Sequence, residues 1–130
     1  MKQLLLVGLG GAIGSICRFK VGAYLSAQFP GAHLPATLWI NVLGCFLIGI
    51  LAAWGEKRGV LVPETRLFLM TGILGGFTTF STFGLETLQL LRGDKPASAL
   101  LYIGVSVLGG LLMVGLGWQI VGWLMRPEQG

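Results

Sequence analysis

Apolar positions gather into four long runs, Leu4–Leu25, Thr37–Trp54, Arg66–Leu91 and Ala97–Met125. Each is near the ~20 residues an α-helix needs to cross a bilayer. The pattern predicts an all-α integral membrane protein, residues 1–130 forming one four-span domain. Breakers and charges fill the connections: Pro30-Gly31 through Pro35, Gly55 to Pro63 with Glu56, Lys57 and Arg58, and Arg92-Gly93-Asp94-Lys95-Pro96. No internal repeat or linker is visible. The third run is itself interrupted by Gly75-Gly76-Phe77-Thr78-Thr79-Phe80-Ser81-Thr82-Phe83. Paired glycines, four hydroxyls and three phenylalanines stand where a membrane helix is ordinarily aliphatic. A helix broken there bares backbone groups at several kcal/mol each, unless they line a cavity or hold an ion. The third helix is therefore expected to be broken mid-membrane, and such breaks are where channels and transporters place ion sites.

The remaining polar positions have helical spacing. Thr79, Thr82 and Glu86, three and four apart, predict one face of the third helix, with Phe80 and Phe83 on a neighbouring face. An aromatic edge is positive and can touch an anion without trapping it, although core packing is the more common role of such a pair. Asn41 follows Thr37 by one turn in the second run; its amide carries two donors that suit either an anion or an interhelical hydrogen bond. Tyr102 and Ser106 form a similar pair in the fourth run, a stripe that ends at Gly110 and Val114. Arg18 lies roughly 21 Å along its helix from Leu4, placed to snorkel or to line a wet vestibule. Gly10 with Gly14, and Gly72 with Gly76, have the small-xxx-small spacing of close helix contacts.

Composition agrees with this reading. Hydrophobic residues make up 54% and charged residues 11% of the chain, and 22 of 130 residues are glycine. The net charge of +4 comes from basic residues dispersed between apolar runs, so no nucleic-acid face is expected. Cys17 and Cys45 both fall inside apolar runs, as buried small hydrophobes rather than a disulfide framework. The first run continues past Arg18 and Lys20 and reads as a retained span rather than a cleaved signal. Gly8, Gly10 and Gly14 miss the dinucleotide fingerprint, whose third glycine would fall at Ile13. His33 is the sole histidine, so no metal cluster or catalytic triad can be assembled in the spans.

Charge also bears on orientation. With four spans, Lys2, Lys57, Arg58, Arg66 and Arg126 share one side, and Arg18, Lys20, Arg92 and Lys95 the other. Positive-inside counting gives almost no bias. Either one residue such as Lys57 outweighs the rest, or the chain inserts both ways up and pairs as an antiparallel dimer.

The run GGFTTFSTF followed by Glu86, with Asn41 in the preceding span and a glycine-rich first span ending near Arg18, resembles the Fluc (CrcB) family of bacterial fluoride channels. The resemblance covers essentially the whole chain. It implies an antiparallel, dual-topology homodimer in the bacterial inner membrane, in contact with lipid and with two fluoride pores. It further implies a structural Na+ that is not transported, held by the backbone carbonyls of Gly75 and Thr78. Phe80 and Phe83 resemble the phenylalanines that contact fluoride, with Asn41, Ser81, Thr82, Tyr102 and Ser106 along the pore. Thr37, Thr82 and Glu86 resemble a polar group near one pore mouth, and Arg18 the basic residue of the vestibule. Gly110 and Val114 depart from the family, where a serine and a threonine are typical.

The expected function is passive, fluoride-selective export that lowers fluoride toxicity, with no enzymatic activity. Two alternatives remain open. A proton-coupled exporter of the small multidrug type also has four spans, but depends on a first-span glutamate, and this first span holds no acid. A non-transporting assembly subunit would use the glycine faces for helix contacts alone.

Overall fold

The computed structural model describes residues 1–31, 34–58 and 62–126. His33 and the middle of the second connection lie outside these. The described residues form α1 (Lys2–Gln28), α2 (Ala36–Arg58), a short α3 (Pro63–Arg66) that runs into π-helical turns (Leu67–Leu74), α4 (Gly75–Phe77), α5 (Phe80–Arg92) and α6 (Pro96–Leu124). Lys2–Gln28, Ala36–Glu56, Pro63–Arg92 and Pro96–Leu124 are each long and apolar enough to cross a membrane.

The helices start and stop for local reasons. Pro63 and Pro96 occupy first-turn positions, where a missing N–H costs nothing. Arg92 closes α5 beside Gly93, a cation at the negative end of the helix. The second connection is shorter than expected, because Gly55–Arg58 remain helical; Glu56, Lys57 and Arg58 are good helix formers and extend α2 beyond its apolar stretch. The wide π turns of Leu67–Leu74 have no counterpart in the sequence pattern, which marks a helix there without distinguishing its pitch.

Packing follows the glycines. α1 lies against the π turns and α4, and α2 against α6. A Cβ on Gly10 would come within 2.6 Å of the Phe68 carbonyl oxygen, and one on Gly14 would collide with that of Ile73. From the other side, a Cβ on Gly76 would meet the Gly11 carbonyl oxygen at 2.5 Å. The two small-xxx-small pairs thus bring two helix backbones into direct contact, which lipid-facing side chains could not do. Gly49 and Gly117 do the same for α2 and α6, against Val114 and Phe46. On the opposite faces, Leu4, Leu9, Phe19, Leu108, Leu111 and Leu112 are exposed, the outward apolar surface a bilayer would cover. At the start of α1, Lys2 Nζ stands 3.3 Å from Glu64 Oε1, an exposed ion pair tying α1 to α3.

Candidate functional site

Midway along Pro63–Arg92, the backbone leaves the helix for two residues. Thr78 has φ −85°, ψ 158° and Thr79 φ −151°, ψ 118°, both extended. The helical hydrogen bonds across this point are lost and other groups replace them. Thr78 N–H still reaches the Leu74 carbonyl at 3.0 Å, and Thr78 Oγ1 donates to the same oxygen at 2.9 Å. Thr79 N–H donates to Asn41 Oδ1 at 2.9 Å, while Asn41 Nδ2 donates to the Thr79 carbonyl at 3.0 Å. The side-chain amide therefore pairs with both backbone groups of one residue, as a neighbouring strand would. Ser15 Oγ lies 3.5 Å from the Gly76 carbonyl oxygen. The carbonyls of Gly75 and Thr78 accept no hydrogen bond among the described residues.

Thr79 restarts the helix. It is the N-cap of α5, its Oγ1 accepting from Thr82 N–H at 3.3 Å and lying 3.0 Å from Thr82 Oγ1 and 3.3 Å from Ser81 Oγ. Thr79 does not share with Thr82 and Glu86 the helical face that its spacing predicts: it stands outside the helix, and only Thr82 and Glu86 are helical. A hydroxyl just before a helical run is an ordinary N-cap signal, so the sequence did contain this reading.

Two clusters extend from the break. In the first, the Phe80 and Phe83 rings are 5.4 Å apart and tilted, and Phe83 meets Tyr102 edge-on at 5.1 Å. Phe83 is held between the two, whereas Phe80 is 81% exposed. Both phenylalanines, with Asn41, Cys45, Thr78 and Ser106, line a groove of about 340 Å³. In the second, Glu86 accepts from Thr37 Oγ1 at 2.8 Å and from Tyr102 OH at 2.7 Å, joining α2, α5 and α6 through one carboxylate. Tyr102 is fully buried, so its hydroxyl needs that partner. On the α1 side, Arg18 shares a groove of about 630 Å³ with Ser15, Thr37, Thr79, Thr82 and Glu86.

The expected residues are thus gathered around one break, but not into one cavity. Phe80, Phe83, Asn41 and Ser106 share the first groove; Arg18, Thr37, Thr82 and Glu86 share the second; Thr79 borders both. Tyr102 is the hinge between them, its ring on Phe83 and its hydroxyl on Glu86. Ser81 is exposed and reaches Thr79. Cys17 and Cys45, expected as buried small hydrophobes, are instead exposed and half-buried; absent from the expected site set were Cys45, which lines the first groove, and Gly44, where a Cβ would collide with Thr78 Cγ2. The pattern Asn41-x-x-Gly44 carried that signal: the amide reaches the break only if the helix backbone can come this near.

Four spanning-length helices, an uncoiled segment within one of them and a groove lined by amide, hydroxyl and aromatic groups define a multi-pass membrane protein of the channel and transporter class. The family model described as CrcB-like protein, Camphor Resistance (CrcB), matches residues 5–118, and the chain belongs to that family. It is 45% identical over 131 residues to a protein of Methylobacillus flagellatus named fluoride-specific ion channel FluC, covering 97% of this chain and 99% of the relative. A relative of the same name from Thermus thermophilus is 46% identical over 126 residues, covering 96% and 98%. One from Bacillus cereus, named fluoride-specific ion channel FluC 1, is 38% identical over 130 residues, covering 98% and 95%. The protein is a member of a channel family and not an enzyme.

Proposed function

We propose that this protein is a fluoride-selective passive channel that exports cytosolic fluoride across the bacterial inner membrane. The observation that carries the reading is the groove beside the uncoiled Thr78–Thr79 segment, in which two phenylalanine rings stand next to amide and hydroxyl donors, in a chain similar along its length to proteins named as fluoride-specific channels. Ring edges and a few neutral donors bind a small dehydrated anion weakly at several points, which lets it move on rather than stay. Arg18 at the second groove draws anions toward the break. Direction follows from chemistry outside the protein. Hydrogen fluoride enters from acidic surroundings as the neutral acid and ionises in the cytosol, and the negative-inside potential drives the anion out through an open path.

The functional unit on this reading is an antiparallel, dual-topology homodimer. Its support is the balance of basic residues between the two sides and the exposure of Phe80, an aromatic pore residue left uncovered by its own chain. The third helix, broken at mid-membrane depth, then lies at the dimer axis. Na+ fits there as a structural ion: among the described residues the carbonyls of Gly75 and Thr78 accept no hydrogen bond, and two per chain would give four hard oxygen donors in a dimer. Its contribution would be to satisfy those carbonyls and join the protomers.

Phe80→Ile tests the site. In liposomes, the variant should keep its dimeric elution and lose fluoride flux; undiminished flux would contradict the pore assignment. A C-terminal reporter active on one side only tests the assembly. The homodimer requires both orientations, and one uniform orientation would refute it.

A further inference from the structure

Within the same groove, one hydroxyl has no partner. Ser106 Oγ is shielded from solvent and makes no hydrogen bond among the described residues, although it lines the cavity that holds Phe80 and Phe83. A buried hydroxyl without a partner costs stability, and its usual explanation is an absent water or ion. One turn further along α6, Gly110 offers no side chain. The polar atom beside that position comes from α2: Cys45 Sγ lies 3.2 Å from where a Cβ on Gly110 would stand. Cys45 follows Asn41 by one helical turn, and both line the groove. Asn41 is largely committed to Thr79, with one of its two amide hydrogens and its oxygen already in use. Among the described residues, the uncommitted donors along this wall are therefore the Ser106 hydroxyl, the Cys45 thiol and one Asn41 hydrogen.

We propose that Cys45 and Ser106 form a further anion stop in this groove, each donating one hydrogen to a small, partly dehydrated anion. This deepens the proposed function and rests on it, since the anion concerned is the permeating fluoride. The thiol supplies from α2 the donor that α6 lacks at Gly110. A thiol is a weak donor, which suits a stop that must release its ion quickly.

The experiment uses the full-length protein carrying Cys17→Ala, because Cys17 is the other free thiol and is exposed on α1. Fluoride efflux from liposomes is read for this protein and for versions that also carry Cys45→Ala or Cys45→Ser. Loss of the donor in Cys45→Ala should slow efflux about tenfold, the effect of one missing hydrogen bond to the ion, and Cys45→Ser should restore most of it. As an independent reading, the Cys17→Ala protein is treated with methyl methanethiosulfonate. The Cys45 sulfur displaces methanesulfinate, forms an S–S bond to the methylthio group and gives up the thiol proton. Efflux should then stop, and should continue in Cys45→Ser treated alike. Equal efflux from Cys45→Ala and Cys45→Ser, or efflux indifferent to the reagent, would overturn the stop while leaving the channel reading intact. Absence of fluoride efflux from the unsubstituted protein would overturn both. If Cys45→Ala fails to elute as a folded species, the reagent experiment decides.

Discussion

Asn41 holds Thr79 by two hydrogen bonds, its amide oxygen accepting from the Thr79 N–H at 2.9 Å and its amide nitrogen donating to the Thr79 carbonyl at 3.0 Å. This pairing is what permits an extended residue inside an apolar helix. It replaces a missing helical turn with a side chain from α2, and so ties the position of the break to the neighbouring helix. Because Thr79 is also the N-cap of α5, the pair sets where the helix bearing Phe80 and Phe83 begins.

Asn41→Leu keeps the approximate volume and leaves both Thr79 backbone groups without a partner. The expected loss is about 2 kcal/mol or more, since one unpaired buried group costs about 1–3 kcal/mol. A thermal melt of the detergent-purified protein should show a clearly lowered midpoint. An unchanged midpoint would mean that the break is held elsewhere.

Glycine substitutions should separate sharply by position. Gly14→Ala and Gly44→Ala place a methyl group against Ile73 and Thr78, where no space exists, whereas Gly8→Ala faces open space. Overpacking of this kind costs about 1–3 kcal/mol, more where backbone must move. Yields of folded protein should fall for the first two and hold for the third. Equal behaviour of all three would refute the close-contact account of α1 and α2.

Glu86 accepts two hydrogen bonds, from the hydroxyls of Thr37 and Tyr102. In Glu86→Gln, one oxygen is replaced by an amide donor, so one of the two hydroxyls loses its acceptor. The thermal midpoint should fall, at a cost of about 1 kcal/mol for the one hydroxyl left without its acceptor, and fluoride efflux should persist without a proton gradient. Efflux that depends on such a gradient and vanishes in Glu86→Gln would instead indicate proton coupling.

Much of this architecture is legible in the chain. Four apolar runs gave the four helices, because bilayer thickness fixes their length and composition. The glycine spacing of Gly10, Gly14, Gly72 and Gly76 pointed to helix contact, since only small residues allow it. Polar clustering at Gly75–Phe83 marked the place where the backbone leaves the helix. Periodicity could not show that Thr79 leaves the helix, because hydroxyl spacing looks the same whether the residue caps a helix or continues it. Nor could it divide the site into two grooves, with Tyr102 bridging Phe83 and Glu86. That division depends on how α2, α5 and α6 meet, and on contacts between residues far apart in sequence. The π turns at Leu67–Leu74 were equally hidden, their composition being that of any apolar helix.

As a passive fluoride channel, this chain alone should pass fluoride and exclude chloride without an energy source. The direct measurement is anion efflux from liposomes containing only the purified protein, loaded with fluoride or with chloride, at equal pH on both sides and with potassium permeability supplied by an ionophore. Fluoride should be released rapidly and chloride retained. Equal release of the two anions, or no fluoride release from folded protein, would contradict this.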